Sequence, residues 1–373
     1  MKIQNVVEKL LAELLRLFPY KYITLESRPD FSDNTMSVFN EMVLRGIYKK
    51  YKFVWLCHSS HLRNNKDFIC VKIDNRWKRT YYLMRSKCII SCNSYIPKYT
   101  RAQYAIYLGH GIALKSMKTY PAPPLIDSFV GLSNTSNYIM KDAFKCSLGK
   151  FVITGYPRND SLFIDKREYI DSLFPEKYDK IIVWYPTFRQ HNNPKVSEAT
   201  SHALPIIYDF QIAQHINDYA KEHGVLIVLK PHFSQDLSYI KDKKLSNIIF
   251  INDDFFIKYR LSSYEFVGNC DALITDYSSI YFDYLLCNKP IGAIWEDIDE
   301  YRNNRGFCID IDYYMQGAFK IYNVDDFLQF LNDVSSGNDS LVNCRKEIND
   351  LINKYQDAHS TDRVLSAIES YVS

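Results

Sequence analysis

Nowhere does the chain run to about eighteen uninterrupted apolar residues, which excludes a membrane-spanning helix. An excess of one charge is also missing. The 46 Lys and Arg against 43 Asp and Glu leave a formal net charge of +3, too little for the concentrated basic face that nucleic acid requires. There is no GxxxxGK followed by Ser or Thr, no HExxH and no GxSxG, so P-loop, zincin and α/β-hydrolase chemistries find no support. No CxxC occurs, and nine scattered cysteines, an odd number, do not make a disulfide framework. A reducing cytoplasm suits them. Cys57, His58, His61 and Cys70 invite a zinc reading, but the histidines are closer together than in usual zinc patterns. Cysteine packed as a small apolar residue is the better reading, and no metal is expected. Internal repeats and low-complexity tracts are absent too.

What is present fits a soluble globular protein: 47% hydrophobic and 24% charged residues over 373 positions, room for two domains. The 30 Tyr and 22 Phe suit large cores and aromatic-lined clefts. At the N-terminus, Ile3, Val6, Val7, Leu10, Leu11, Leu14, Leu15 and Phe18 recur at helical spacing and predict an amphipathic helix over 1–18. Glu8, Lys9, Glu13 and Arg16 interrupt the apolar pattern and no small-residue cleavage site follows, so it is not read as a signal peptide. Such a helix either packs on its own domain or, through Lys2, Lys9, Arg16 and Lys21, rests on a membrane surface.

Short apolar runs alternate with helical patterns along the chain. YITLES, KFVWLC, CIISCN, YAIYLG, SFVGLS and KFVITG predict strands in the first half; KIIVWYP, VLIVLK, NIIFIN, DALITD and KPIGAIW predict them in the second. Most are continuously apolar, as strands covered on both faces by helices are. The expected fold class is α/β, two Rossmann-like doubly wound domains facing a central cleft. The expected boundaries are 1–160 for an N-terminal acceptor domain and 161–345 for a donor-binding domain. Residues 346–373 are expected to form helices that pack back on the first domain, with a break near Asp357 to Asp362 and Thr361 or Ser360 capping the second helix.

In such sheets ligands sit beyond the carboxyl ends of the strands, and the polar motifs fall there. YLGHGIALKSM places His110 between Gly109 and Gly111, which gives backbone a substrate can approach, and follows it with Lys115. DALITDYSSIYFDYLL puts Asp276, Ser278 and Ser279 in a polar turn before a helix. The serine hydroxyls and free N–H groups there can receive a phosphate or serve as an ordinary helix cap, and local sequence does not separate the two. VLIVLKPHFSQ presents Lys230 and His232 at a strand tip, where they can bind phosphate oxygens or, equally, lie in a solvated loop. Thr187 and Arg189 in PTFR, Arg158 and Asp160 in GYPRND, and Arg302 and Arg305 before Gly306 complete the set. Arginine forks suit phosphate, though any one of them also suits a surface ion pair.

Phe31 to Asn34, the HG…LK of His110 to Lys115, GYPRND, PTFR, LITDYSS..FD, KPI, Y…RGF and KY.D..S..RV occur in order. In this set the sequence resembles the CDP-glycerol:polyglycerophosphate glycerophosphotransferase family, the teichoic-acid primase and polymerase type, from about Tyr22 to Val364. The resemblance implies the GT-B fold. It also implies attack of an acceptor hydroxyl on the β-phosphate of a CDP-linked polyol, with release of CMP. CDP-glycerol is the first choice of donor and CDP-ribitol the second; a GT-B glycosyltransferase acting on a nucleotide sugar is the alternative. Carried over by motif, His110 is the base, with Gly111 beside it. His232 meets the donor phosphates, to which Lys230, from its place at the same strand tip, is added as a substrate-binding residue, and Ser278 and Ser279, following Asp276, hold the pyrophosphate. Arg158, Thr187 and Arg305 stabilise charge or bind substrate. No cofactor is expected, GT-B transferases commonly working without bound metal. The implied acceptor is a glycan, a lipid-linked molecule or a polyol-phosphate chain. The place is the cytoplasm, with peripheral contact on the inner face of the membrane, and nucleic acid is not a partner. Where the family usually reads HGTPLK this chain has Ile112 and Ala113, a departure expected to bear on the acceptor. A second catalytic module is not expected.

Overall fold

The computed structural model describes residues 17–59, 67–116, 125–175, 177–187, 204–231, 237–241 and 243–372, with Leu11 and Leu14 besides. The chain divides into two compact units. The first comprises 1–110, 119–160 and 353–373, and the second 111–118 and 161–352. The N-terminal helix expected over 1–18 lies outside the described residues apart from Leu11, Leu14, Leu17 and Phe18, and His61, Arg189 and His232 lie outside them altogether.

The first unit carries a seven-stranded, wholly parallel sheet in the order β3-β2-β1-β4-β5-β6-β7. Its strands are β1 (Tyr22–Glu26), β2 (Lys52–Cys57), β3 (Phe68–Lys72), β4 (Ser86–Ser91), β5 (Tyr104–Tyr107), β6 (Ser128–Gly131) and β7 (Phe151–Ile153). The second carries a six-stranded parallel sheet in the order β10-β9-β8-β11-β12-β13. These are β8 (Lys180–Trp184), β9 (Val225–Leu229), β10 (Ile248–Phe250), β11 (Ala272–Thr275), β12 (Ile291–Ile294) and β13 (Phe319–Ile321). All eleven strands expected from apolar runs are present. The two not expected, β3 and β13, are both edge strands and half-exposed; Lys320 interrupts β13, and β3 offers only the four apolar residues Phe68, Ile69, Cys70 and Val71.

The inner strands are buried on both faces because helices cover both. Every residue of β9 is buried. The helix Phe210–Glu222 lays Ala213, Ile216, Asn217 and Ala220 against the second unit, starting where the Asp209 carboxylate accepts the Ile212 N–H as an N-cap. In the first unit Phe39, Phe53, Trp55 and Phe68 meet edge to face, a large apolar payload on one sheet face.

Two expectations about the tail need correction. The helix Val342–Ile352 stays in the second unit, because Ile348 and Ile352 are wholly buried and it packs on the Leu285–Cys287 turn. Only the helix Ser360–Val372 belongs to the first unit, where it packs on the helix Asp33–Leu44 and on β4. Its cap is neither Ser360 nor Thr361: the Asp160 carboxylate accepts their backbone N–H groups at 2.9 and 2.8 Å. The segment 111–118 also departs from the expected division, since it belongs to the second unit.

Candidate active site

In both sheets strand order reverses at one point, β1/β4 in the first and β8/β11 in the second, and the polar residues gather on chain leaving the carboxyl ends of these and neighbouring strands.

In the first unit β5 runs into Leu108, Gly109 and His110. Gly109 has φ +70°, a left-handed conformation natural to glycine, and an added Cβ would meet the Tyr156 ring at 3.5 Å. Its carbonyl accepts from Asn34 Nδ2 at 2.8 Å and from the Cys92 thiol at 2.9 Å. The exposed His110 imidazole places Nδ1 3.3 Å from the Cys92 carbonyl. A carbonyl can only accept, so Nδ1 carries the proton and Nε2 presents its lone pair, the tautomer a general base needs.

GYPRND is built around this turn. The Arg158 guanidinium donates from Nη2 to the His110 carbonyl at 3.0 Å and from Nη1 to Asp33 Oδ1 at 2.8 Å. It lies over the Tyr156 ring. The Arg158 backbone N–H donates to Asn34 Oδ1 at 2.9 Å, so the fully buried Asn34 amide ties the loop after β5 to the loop after β7. Asp33 and Asn34 were not singled out as site residues. Their signal was present in the Phe31–Asn34 motif, but nothing in linear sequence links it to His110. The Cys92 thiol has its pKa pushed well up by burial, which keeps it a neutral packing group.

In the second unit the wholly buried Asp276, just past β11, accepts the Thr187 N–H at 2.8 Å and the Thr187 hydroxyl, binding the PT turn after β8 across the reversal point. Thr275 Oγ1 reinforces it by donating to the Tyr185 carbonyl at 3.0 Å. Tyr277 turns inward. Its hydroxyl donates to Asp297 at 2.9 Å and its ring packs on Tyr301 and Phe307. Ser278 and Ser279 follow, half-buried, and neither hydroxyl makes a hydrogen bond among the described residues. Ser279 stands at the start of the helix Ile280–Tyr284 without capping it, so the ordinary-cap reading does not describe it. Lys230 pairs with Asp253 at 3.0 Å and lies over the Tyr185 ring.

Gly111, at φ +139°, opens the segment that joins the second unit. Lys115 bridges Phe307 in antiparallel sense, Ser116 N–H donates to the Gly306 carbonyl at 3.0 Å, and Cys308 N–H donates to the Leu114 carbonyl at 2.9 Å. Lys115 Nζ sits over the Tyr301 ring. Arg305 is exposed at the end of the helix Ile298–Asn304, next to this pairing, and Arg302 is engaged with Asp312. The structure thus groups His110 with Arg158, and Thr187 with Asp276, Ser278 and Ser279. Among the described residues no three His, Cys, Asp or Glu side chains converge as metal ligands, and no helix is long and apolar enough to cross a membrane.

The sequence profile of the CDP-Glycerol:Poly(glycerophosphate) glycerophosphotransferase family matches residues 10–370. The chain is 25% identical over 372 residues to the teichoic acid ribitol-phosphate polymerase TarL of Staphylococcus aureus, covering 92% of this chain and 61% of that protein. It is 28% identical over 251 residues to the teichoic acid glycerol-phosphate primase of Bacillus subtilis, covering 65% and 57%. The chain therefore spans roughly three fifths of the length of these relatives. Among solved structures, the wall teichoic acid polymerase TagF superposes with a TM-score of 0.74 at 20% identity, covering 99% of this chain and 95% of that one. That likeness shows the fold, the GT-B type with two Rossmann-like domains. With its profile matched almost end to end, the chain belongs to the CDP-glycerol:poly(glycerophosphate) glycerophosphotransferase family.

Proposed function

We propose that this chain transfers a polyol phosphate, glycerol phosphate first and ribitol phosphate second, from a CDP-activated donor to a hydroxyl of a glycan, lipid-linked or polyol-phosphate acceptor. The acceptor oxygen attacks the donor β-phosphate and a new O–P bond forms. The bond from that phosphorus to the bridging oxygen breaks, CMP leaves, and the hydroxyl proton passes to His110 Nε2. The observation that carries this reading is the anchoring of His110 Nδ1 on the Cys92 carbonyl, which leaves Nε2 open as the base. Phosphoryl transfer relies chiefly on positioning and charge stabilisation, which assigns the other residues. Ser278 and Ser279 offer free hydroxyls to the pyrophosphate. Asp276 and Thr187 fix the loops that carry them. Lys230, His232 and Arg305 supply cationic contacts to the donor, and Gly111 leaves room beside the base. Arg158 acts by holding His110. The reaction belongs in the cytoplasm, with a lipid-linked acceptor met at the inner face of the membrane.

The test is CMP release from CDP-glycerol and CDP-ribitol, with and without polyol-phosphate acceptors. His110→Ala is expected to abolish acceptor-dependent release while retaining donor binding. Turnover of a nucleotide sugar with neither CDP-polyol consumed overturns the proposal.

A further inference from the structure

A second histidine stands on the same sheet edge as His110, and the transfer chemistry leaves it unused. Glu26 ends β1 and is wholly buried, at the reversal point beside β4. A buried carboxylate needs every lone pair met, and this one is served from four sides. Oε2 accepts the backbone N–H groups of Cys92, Asn93 and Ser94 at 3.2, 3.2 and 3.0 Å. Oε1 accepts the Ser94 hydroxyl at 2.9 Å and His58 Nε2 at 2.8 Å.

His58 is the first residue past β2, so its backbone too sits at the carboxyl edge. The Asp30 carboxylate pins it there, accepting the N–H groups of His58 and Ser59 at 2.8 and 2.9 Å. A carboxylate surrounded by donors only accepts, so Nε2 of His58 carries a proton. Nδ1 then points away from Glu26. It has no hydrogen-bond partner among the described residues, and the side chain is 22% exposed. This geometry of a buried acid behind an aimed, half-open imidazole is costly to build for packing alone. The carboxylate also connects the two histidines. It clamps the Cys92–Ser94 loop, and the Cys92 carbonyl in that loop holds His110 Nδ1.

A cation that an anion could meet lies on the same edge. Arg28, two residues past Glu26, is exposed and makes no ion pair among the described residues. Of the nearby acids, Asp33 is paired with Arg158 and Glu26 faces His58, while Asp30 keeps its charge on the His58 and Ser59 N–H groups.

We infer that His58, aimed by Glu26, binds a phosphoryl oxygen of the acceptor as the imidazolium, Nε2–H donating to Glu26 and Nδ1–H, whose proton arrives with the phosphate or from water, donating to the ligand. The inference takes its acceptor from the proposed transfer reaction. Glu26 is the positioning residue for this contact.

The test is NMR of the histidine imidazoles, nine in the chain, with the His58 signal assigned by its loss in His58→Gln, whose side-chain amide can still donate to Glu26. Glycerol 3-phosphate is expected to shift the His58 signal saturably at millimolar concentration, inorganic phosphate to do so more weakly, and glycerol not at all. The shift persists in His110→Ala and falls at least fivefold in Glu26→Gln. His58→Gln is expected to keep the wild-type melting temperature and to lose the line broadening that the protein imparts to the phosphorus signal of glycerol 3-phosphate. No His58 shift up to 50 mM, or an equal shift with glycerol, overturns the inference. CMP release without a His58 shift defeats this contact alone; a His58 shift without CMP release from either CDP-polyol upholds the contact and defeats the transfer reading.

Discussion

Arg158→Lys separates two roles for the arginine of GYPRND. As a donor-phosphate ligand it would be missed in donor affinity; as the clamp on His110 it would be missed in turnover. Its guanidinium is about one-tenth exposed and makes two charge-assisted bonds, to Asp33 and to the His110 carbonyl. Lysine keeps the charge but lacks the planar fork, so it can satisfy one of the two. Losing one such bond costs about 1.5–3 kcal/mol. Asp33 also accepts the Asn34 N–H at 2.7 Å, which limits the damage on that side. The lysine is therefore expected to stay with the carboxylate and release the carbonyl. Freed of its clamp, the His110 turn loses part of its geometry, and each 1.4 kcal/mol of lost transition-state positioning is about tenfold in rate. The expected outcome is a kcat for CMP release lower by about 10- to 100-fold with donor KM unchanged. A thermal unfolding scan should show a loss of about 1.5–3 kcal/mol. Asp33→Asn in the same background should be strongly non-additive, since the two side chains act as one unit. Wild-type kcat with a raised donor KM refutes the clamp and returns Arg158 to the donor phosphates; no change in either rules out both roles.

Three further perturbations follow from the second unit. Ser279→Ala removes a residue at a helix start, a change that ordinarily costs about 0.5–2 kcal/mol, but this serine makes no cap bond. Stability should hold within about 0.5 kcal/mol while donor KM rises several-fold, and a substantial fall in melting temperature would show it caps after all. Asp276→Ala leaves the Thr187 N–H without its acceptor inside the protein, with an expected loss of about 2–4 kcal/mol in urea unfolding and no donor binding; near-wild-type stability would contradict the loop-fixing role. Lys320 has its pKa lowered to about 7 by burial, with Nζ over the Trp295 ring and donating to the Met315 carbonyl. The unfolded chain keeps that proton up to about 10.5, so between these values the unfolded state binds more protons and stability rises with pH. The gain from pH 7 to 9 should be roughly 2 kcal/mol and vanish in Lys320→Met; equal slopes in both proteins would refute it.

What could be read from sequence follows burial. Eleven of the thirteen strands among the described residues announce themselves by apolar runs, as strands of a covered parallel sheet do, whereas β13 carries Lys320 at its centre and β3 offers a four-residue apolar run at an edge. His110, Asp276 and the two serines were legible because strand-end loops in this fold class carry ligands. Their partners were not. Asn34 reaches Gly109 across 75 residues, and Glu26 reaches Ser94 across 68, so neither pairing leaves a local pattern. The cap on Ser360–Val372 was misassigned for the same reason: local rules offered Ser360 and Thr361, and the fold supplies Asp160 from 200 residues away.

Ile112 and Ala113 show how a family departure changes meaning once it is placed. Beside a catalytic base, loss of a Thr-Pro pair reads as altered acceptor selection. In the structure both residues are buried, as is Leu114, and their segment belongs to the second unit. The Ala113 carbonyl accepts from the Cys308 thiol at 2.9 Å, Lys115 bridges Phe307, and the Ser116 N–H donates to the Gly306 carbonyl. These positions therefore answer to packing, where an aliphatic side chain gains about 1.5–3 kcal/mol on full burial and a hydroxyl would need a partner. The chain passes from one unit to the other between His110 and Gly111. Acceptor choice is then better sought at Arg28, His58 and the Cys92–Ser94 loop, on the edge that His110 shares, than in the two residues that first drew notice.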